Sequence, residues 1–323
     1  MSTYTKNRDP GVRDLGPLGF GAGPLGNLYS AVSDADAEGA LEAAEHLGIK
    51  WFDVAPLYGL GLAEERLGHF FQRARNTERI VSTKVGRILE PAQAIQNHEQ
   101  FAGPLRYQAV FDYSRAGIER AYEGSLRRLG LDRVQILLLH DVDRLTHATG
   151  HRALVKQLLD EALPTLHRLK AEGRVDAIGL GINEWDIGYE ILASAEIDCV
   201  LLAGRYTLID QSAEHSGFLD ACARRGVSVL AGGVFNSGLL VGGSTFNYTP
   251  ASKELVSRRD ELAALCNRYQ VPLGAAAVQF TAAHPAVTSV VVGARSAREI
   301  TEINHWRNMP IPSELWDELP KRG

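Results

Sequence analysis

Short apolar segments alternate with longer amphipathic segments along nearly the whole chain, and this alternation limits the possible folds more than any other feature. Apolar runs bounded by turn residues predict strands, and the amphipathic runs predict helices. The apolar runs do not alternate with polar residues, which is typical of strands covered on both faces. Eight strand–helix units fit in the 323 residues. The sequence therefore predicts one α/β domain over residues 1–323, a (β/α)8 TIM barrel.

The predicted strands cover 18–23, 50–55, 79–84, 134–140, 176–182, 199–204, 228–233 and 287–293. The predicted helices cover 34–47, 62–75, 115–129, 151–172, 185–195, 213–225, 253–283 (two helices, broken before Pro272) and 296–307.

Two segments interrupt this rhythm, residues 86–113 after the third strand and residues 232–250 after the seventh. Both follow the carboxyl ends of strands, and both contain aromatic residues. Loops of this length in a compact domain are usually binding loops or lids when they are not disordered. We therefore expect long binding loops at the carboxyl face of the barrel.

Composition and charge narrow the classes of function. The net charge is −5 and the basic residues are dispersed, which argues against nucleic acid or an anionic membrane as partner. The first ten residues lack the apolar core of a secretory signal, and no apolar run approaches membrane-spanning length. The three cysteines match no metal or redox motif and favour free thiols in a reducing compartment. We expect a cytoplasmic enzyme without a metal.

The segment GAGPLG at 21–26 matches the GxGxxG dinucleotide fingerprint. That fingerprint requires the glycines to open a helix directly after a strand. Here the next plausible helix cap is Ser33 or Asp34, and Pro24 does not suit the turn. A glycine-rich loop after the first strand, closing over a ligand, is the better interpretation.

Four ionisable residues lie at or near the ends of predicted strands: Asp53, Tyr58, Lys84 and His140. Taken singly, each is more often a cap, a packing residue or a solvated side chain. In a parallel barrel, however, the carboxyl ends of the strands meet on one face, where the chemistry takes place. A lysine paired with an aspartate can lower the pKa of a nearby tyrosine, and a histidine can orient an oxygen. This set suits proton transfer coupled to hydride transfer.

Three segments carry a resemblance to the aldo-keto reductase superfamily. WFDVAPLYGLGLAEERLG (51–68) is similar to its DTAxxYGxxxxExxLG signature, with Val54 in place of threonine, and STK (82–84) and SLRRLGLDRVQILLLH (125–140) also match. The resemblance covers nearly the whole chain. It implies a (β/α)8 barrel that binds NAD(P) without a Rossmann fold. It also implies a catalytic tetrad of Asp53, Tyr58, Lys84 and His140, with Tyr58 as general acid/base.

The same resemblance indicates residues for the cofactor. Asn183 matches a residue that holds the nicotinamide, whereas Ile182 replaces the serine usual before it and Ala203 stands where many members have glutamine. An acidic residue at Glu299 favours NAD, with NADP possible because Arg295 and Arg298 lie close by; a solvated helix face is the competing interpretation of all three. The predicted cofactor residues are Asn183, Gly232, Gly233, Asn236, Ser237, Gly238, Gly293, Arg295 and Glu299.

Within the superfamily, GLGINEW (179–185), RYTLIDQ (205–211) and GGVFNSGLL (232–240) resemble the branch of L-fucose (D-threo-aldose 1-) and L-galactose dehydrogenases, with a pyridoxal dehydrogenase close by. This implies oxidation of the anomeric C1 hydroxyl of an aldose to the lactone. An NADPH-dependent carbonyl reductase and a nucleotide-binding redox-sensing scaffold are the alternatives, and the oligomeric state is left open. The predicted substrate residues are Phe111, Tyr113, Trp185, Tyr206 and Phe235, with Asp112 and Asn236 also candidates.

Overall fold

A computed structural model describes residues 12, 14–74, 78–96, 98 and 100–319. Within these residues, no helix is both long and apolar enough to cross a membrane.

Eight parallel strands close into a barrel in the order β1-β12-β9-β8-β7-β6-β3-β2. The ring closes where β1 pairs with β12 on one side (Leu18 opposite Val290) and with β2 on the other (Phe20 opposite Phe52). The predicted fold class is therefore confirmed. The barrel strands are β1 Leu18–Gly21, β2 Trp51–Asp53, β3 Ile80–Val85, β6 Ile136–His140, β7 Ala177–Ile182, β8 Cys199–Ala203, β9 Ser228–Gly232 and β12 Val287–Gly293.

Successive residues of each barrel strand enter different apolar clusters, as the two-residue period of a strand requires. On β6, Ile136 and Leu138 belong to the cluster that also contains Trp51, whereas Leu137 and Leu139 pack in the cluster with the surrounding helices. His140 lies two residues after Leu138, so its side chain points to the same inner side of the ring, at the carboxyl end of β6. Apolar periodicity thus sets the direction of the polar residue that ends the strand.

The helices form the outer layer, and most begin at the predicted positions. Ser33, Ser114, Ser252 and Ser296 cap four of them, each accepting a backbone N–H of the first turn. The helices are Asp34–His46, Leu62–Arg73, Arg115–Leu129, Arg144–His147, His151–Gln157, Leu163–Ala171, Trp185–Ser194, Ser212–His215, Phe218–Arg225, Lys253–Arg268, Leu273–Ala283, Ala297–Asn308 and Ser313–Glu318.

Two helical predictions need refinement. The predicted helix 151–172 contains a π-helical segment, Leu158–Ala162, and 213–225 is divided into two helices around Gly217. The break before Pro272 is confirmed, since Pro272 caps the second of the two helices. The short helix Ser313–Glu318 was not predicted.

The two long segments at the carboxyl face are more ordered than loops. Residues 86–113 contain an antiparallel hairpin of β4 (Arg87–Gln96) and β5 (Leu105–Phe111), secondary structure that the sequence did not predict within this long segment. After β9, a 3₁₀ turn (Leu239–Val241) precedes a small hairpin of β10 (Thr245–Phe246) and β11 (Thr249–Pro250).

The glycine-rich segment after β1 does not open an α-helix. Gly23–Gly26 forms a 3₁₀ turn, and the next helix begins at Asp34 with Ser33 as its cap. A Cβ on Gly26 would lie only 2.4 Å from the carbonyl carbon of Tyr58. Gly26 therefore allows the backbone of this turn to rest directly on the backbone at Tyr58.

Candidate active site

The carboxyl ends of β2 and β3 place a buried ion pair inside the barrel. Lys84 Nζ donates to Asp53 Oδ2 at 2.8 Å and to the carbonyl oxygen of Val54 at 2.9 Å. The other oxygen of Asp53 accepts from Ser82 Oγ at 2.7 Å, and Ser82 Oγ in turn accepts from Trp51 Nε1 at 2.9 Å. The side chains of Lys84 and Asp53 are only 1% and 4% exposed, so this pair is held rigidly away from solvent.

Tyr58 and His140 meet above this pair. Their rings pack edge to face with centroids 6.1 Å apart, and Lys84 Nζ lies 4.8 Å from the centroid of the Tyr58 ring. Tyr58 reaches this position from the turn that follows β2, and His140 from the end of β6. The structure therefore brings together all four residues that the sequence predicted as a tetrad.

The surroundings favour the neutral forms of both Tyr58 and His140. Burial raises the pKa of Tyr58 well above its usual value, the carboxylates of Asp53 and Asp141 raise it further, and the positive charge of Arg87 lowers it. Burial lowers the pKa of His140 well below its usual value, and the charges of Arg87 and Lys84 act in the same direction. A neutral phenol beside a neutral imidazole can exchange a proton with an oxygen and hydrogen-bond to it.

The sequence did not single out Arg87, and it left Asp141, next to His140, either as a loop cap or as a residue that pairs with His140 or binds sugar. Arg87 Nη1 donates to Asp141 Oδ2 at 2.5 Å and lies 3.3 Å from His140 Nδ1. Asp141 Oδ1 accepts from Asn183 Nδ2 at 2.9 Å. Asp141 also has φ of 47°, an uncommon backbone conformation for a residue other than glycine. These contacts join hairpin β4–β5 to the ends of β6 and β7.

Phe111 and Tyr113 form an aromatic wall beside His140. Tyr113 Oη donates to the carbonyl oxygen of His140 at 2.7 Å, and its ring stacks on Phe111 with centroids 6.0 Å apart. The guanidinium of Arg87 lies 4.4 Å from the centroid of Phe111, whose side chain is partly open to solvent. Both predicted residues therefore lie at the tetrad, whereas Asp112 turns away and accepts from Ser114 at the start of the next helix.

The segment after β9 offers groups for a cofactor. Asn236 is 2% exposed, and its Oδ1 finds no donor within the described residues. Gly233 has φ of +63°, and a Cβ there would lie 2.9 Å from the backbone nitrogen of Gly204, whereas the space around Gly238 is open. Ser237 Oγ accepts the backbone N–H of Tyr248 at 3.0 Å. A buried acceptor beside accessible backbone fits a ligand that brings hydroxyl or amide donors, as a nicotinamide dinucleotide does.

Among the other predicted cofactor residues, Gly232 ends β9, and its carbonyl accepts from Gly204 at 2.9 Å. Gly293 ends β12, exposed at the carboxyl face. Arg295 donates to the carbonyl oxygens of Ser30 and Ala31 at 3.3 and 3.0 Å.

Glu299 lies in the first turn of the helix that Ser296 caps. One of its carboxylate oxygens accepts the backbone N–H of Arg295 at 2.8 Å. Glu299 thus already stabilises the helix start, while the rest of its exposed carboxylate is available to a ligand.

The remaining predicted substrate residues pack into the helical layer. Trp185 contacts Tyr189 edge to face at 6.1 Å, and Phe235 contacts Trp306 at 6.1 Å. Tyr206 stacks on Phe280 at 5.2 Å, and burial together with Glu214 raises the pKa of its phenol to about 12. The ring contacts found among the described residues do not join these three side chains to the tetrad.

Within the described residues, no group of three or more His, Cys, Asp or Glu side chains is arranged to hold a metal ion. None of the three cysteines forms a disulfide bond, and all three are buried.

Comparison with known proteins identifies the family. The model of the aldo/keto reductase family matches residues 17–321. The chain is 39% identical to pyridoxal 4-dehydrogenase of Microbacterium luteolum over 95% of this chain and 93% of that protein. It is also 39% identical to D-threo-aldose 1-dehydrogenase of a Pseudomonas species, over 94% and 92%. L-galactose dehydrogenase of Arabidopsis thaliana is 29% identical over 88% and 82%.

Solved structures agree on the fold. A glycerol dehydrogenase from Gluconobacter oxydans superposes with a TM-score of 0.74 at 21% identity, covering 98% of this chain and 94% of the other. The holo form of an aldo-keto reductase from Bacillus halodurans gives 0.71 at 25% identity, covering 94% and 90%. The resemblance to the aldose dehydrogenase branch that the sequence motifs predicted is confirmed by the relatives. The chain therefore belongs to the aldo/keto reductase family and is an NAD(P)-dependent oxidoreductase.

Proposed function

We propose that this protein oxidises the anomeric C1 hydroxyl of an aldose to the lactone. The observation that carries the proposal is the convergence of Tyr58 and His140 at the mouth of the barrel, beside a wall that is both polar and aromatic. Arg87 and Asp141 offer hydrogen-bonding groups there, and the aromatic side chain of Phe111 is 43% exposed. Sugars are bound by this combination, because a pyranose has an apolar face and a rim of hydroxyl groups.

The tetrad accounts for the proton in this reaction. For oxidation Tyr58 first gives up its own proton; its phenolate oxygen then accepts the proton of the C1 hydroxyl, and His140 hydrogen-bonds to the same oxygen and orients it. A nicotinamide cofactor, when bound, supplies the acceptor for the hydride that leaves C1. The hemiacetal loses two electrons and two hydrogens and becomes a lactone, and the oxidised cofactor becomes NAD(P)H with release of one proton. The buried Lys84–Asp53 pair keeps Tyr58 in place throughout.

We further propose NAD as the preferred cofactor, with NADP as the alternative. Support comes from Glu299, an exposed carboxylate at the helix start after β12. A carboxylate can accept a hydrogen bond from a ribose hydroxyl, whereas it repels a 2′-phosphate. Asn236, Ser237 and Gly238 are proposed to contact the remainder of the dinucleotide.

A second candidate is oxidation of pyridoxal, favoured by the equal 39% identity to pyridoxal 4-dehydrogenase. In its ring-closed form pyridoxal also presents a hemiacetal hydroxyl, so the same proton and hydride transfers apply. The two substrates differ in what surrounds the reacting carbon. A sugar needs partners for several hydroxyl groups, and a pyridine ring needs an aromatic slot.

The proposal is tested by the absorbance of NAD(P)H formed from L-fucose, L-galactose, D-arabinose or pyridoxal, each with NAD and with NADP. We expect reduction of NAD by at least one sugar, and none with the Tyr58→Phe variant, which should still bind cofactor. Turnover of pyridoxal alone would reject the aldose assignment and support the second candidate. Reduction of aldehydes with NADPH, without oxidation of any of these compounds, would reject both.

A further inference from the structure

Lys84 is the cation expected to act on Tyr58 in this family, but its hydrogen bonds point elsewhere. Its ammonium is bound to Asp53 Oδ2 and to the Val54 carbonyl, at 2.8 and 2.9 Å. It faces the flat side of the Tyr58 ring, 4.8 Å from the centroid. A second cation, Arg87, lies on the other side of the site, on the first residue of hairpin strand β4.

The position of Arg87 is fixed from two sides. Asp141 Oδ2 accepts from Arg87 Nη1 at 2.5 Å, and the side chains of Arg87 and Asp141 are only 11% and 12% exposed. The ring of Phe111 lies beneath the guanidinium at 4.4 Å. A charge-assisted hydrogen bond with so little solvent access holds its partners in a defined geometry.

This geometry selects the tautomer of His140. Arg87 Nη1 lies 3.3 Å from His140 Nδ1, and a guanidinium can only donate hydrogen bonds. Nδ1 must therefore accept, which places the single proton of the neutral imidazole on Nε2. Nε2 is 3.6 Å from Asp141 Oδ2, outside hydrogen-bond distance, so its N–H remains available to an oxygen in the site.

We propose that Arg87 is a positioning residue of this oxidoreductase: it holds His140 as a neutral imidazole that donates through Nε2, and it places a positive charge, anchored by Asp141, beside the His140 ring that packs edge to face on Tyr58. The inference rests on the proposed roles of Tyr58 and His140 and is independent of which substrate is oxidised. Other charged or titratable groups also act electrostatically on Tyr58 or His140. They are Asp53 on β2, Lys84 on β3, Asp141 after β6 and Tyr248 in the β10–β11 turn.

The charges around Tyr58 predict how its pKa changes when Arg87 is replaced. Arg87 lowers the pKa of Tyr58, whereas Asp53 and Asp141 raise it. An Arg87→Met variant loses the cation and leaves the carboxylate of Asp141 unpaired, so the pKa of Tyr58 should rise. In the oxidative direction Tyr58 must be unprotonated to accept a proton. The rise of kcat with pH should therefore move to higher pH.

The test compares pH profiles of kcat for the wild type, Arg87→Met, Arg87→Lys and Arg120→Met. Arg120 is the matched control, because it pairs with Glu90 on the same hairpin at 3.7 Å on the outside of the barrel. We expect Arg87→Met to shift the profile by at least one pH unit, about a tenfold loss of kcat at neutral pH. The pH profile of Arg87→Lys should return most of the way to that of the wild type, because lysine keeps the positive charge. The profile of Arg120→Met should match that of the wild type. An unshifted profile for Arg87→Met would reject the proposal.

A second measurement does not depend on turnover. ¹⁵N NMR of histidine side chains in the wild-type protein, with His140→Gln used for assignment, reports which ring nitrogen of His140 carries the proton. An unprotonated Nδ1 at neutral pH supports the proposal, and a protonated Nδ1 overturns it. This result stands even if none of the tested sugars is oxidised, so failure of the proposed substrate and failure of this inference are distinguishable.

Discussion

At the scale of single residues, we expect the buried Lys84–Asp53 pair to affect both catalysis and stability. A Lys84→Met variant leaves the Asp53 carboxylate buried and unpaired beside Tyr58. Breaking a buried pair in this way costs about 3–5 kcal/mol of unfolding free energy. The added negative charge also raises the pKa of Tyr58, so turnover at neutral pH should be strongly impaired. Urea denaturation and steady-state kinetics measure the two effects.

The matched control is Lys50→Met, which removes a lysine from the pair with Glu78 at the surface, where the side chains are 51% and 79% exposed. Such pairs contribute about 1 kcal/mol or less. If Lys84→Met were as active and as stable as Lys50→Met, the structural account of the pair would be wrong.

We expect His140 to make the stability of the protein depend on pH. Its folded pKa is well below the ordinary value of 6.5, because of burial and the charges of Arg87 and Lys84. As the pH falls below about 6.5, the unfolded chain binds a proton that the folded protein does not, and the unfolding free energy decreases by about 1.4 kcal/mol per pH unit for this group. The stability that neutral His140 contributes is fully present above the pKa of histidine in the unfolded chain. It is lost as the pH falls towards the lower pKa of His140 in the folded protein.

Replacement of His140 by glutamine should therefore flatten the dependence of unfolding free energy on pH between about 6.5 and 5. Denaturant titrations at several pH values measure both slopes. Equal slopes for the wild type and the variant would show that His140 titrates normally in the folded protein.

The sequence predicted the tetrad because each member is next to a clear apolar strand or a clear motif. It did not predict the partnership of Arg87, Asp141 and Asn183. These residues come from three separate strand ends, and their contacts depend on the hairpin that carries Arg87. Local patterns contain no information on which of several charged side chains will face one another across a barrel mouth.

At the scale of elements, the 3₁₀ turn Gly23–Gly26 packs directly against the backbone of the turn that carries Tyr58. Gly26→Ala would place a Cβ 2.4 Å from the Tyr58 carbonyl carbon and 2.5 Å from the nitrogen of Gly59, and backbone atoms cannot yield as side chains do. We expect a loss of about 1–3 kcal/mol in unfolding free energy, typical of overpacking, together with a lower kcat as Tyr58 is displaced.

Gly23→Ala is the matched control in the same turn, since its nearest neighbour would be Tyr58 Cε2 at an ordinary contact distance of 3.9 Å. Thermal denaturation of the two variants should separate them clearly. Equal melting temperatures would contradict the close contact between the two turns.

The hairpin β4–β5 shows why one element escaped prediction. Its first strand, RILEPAQAIQ, contains Pro91, which ordinarily argues against a strand. In a two-stranded hairpin each strand has a hydrogen-bonded neighbour on one side only. A proline can therefore occupy a position whose backbone nitrogen points away from that neighbour, and no hydrogen bond between the strands is lost. The eight barrel strands were recognised because they are short, apolar and flanked by helices.

At the scale of the whole molecule, the ring of strands predicts a single cooperative unit. β1 pairs with both β2 and β12, so the first and last barrel strands each complete the pairing of the other. Equilibrium unfolding in urea should give one transition, with the same midpoint by tryptophan fluorescence and by far-UV circular dichroism. Two separate midpoints would indicate that residues 1–323 contain more than one domain.

The pairing of β1 with β12 also has a consequence for synthesis on the ribosome. All four tetrad residues lie in the first half of the chain, yet the strand that closes the ring is the last barrel strand to be made. A nascent chain therefore carries the reactive side chains long before it can exclude water from them. We expect redox activity to appear only once translation has passed β12. A chain whose synthesis stops before β12 should therefore neither oxidise nor reduce the cofactor.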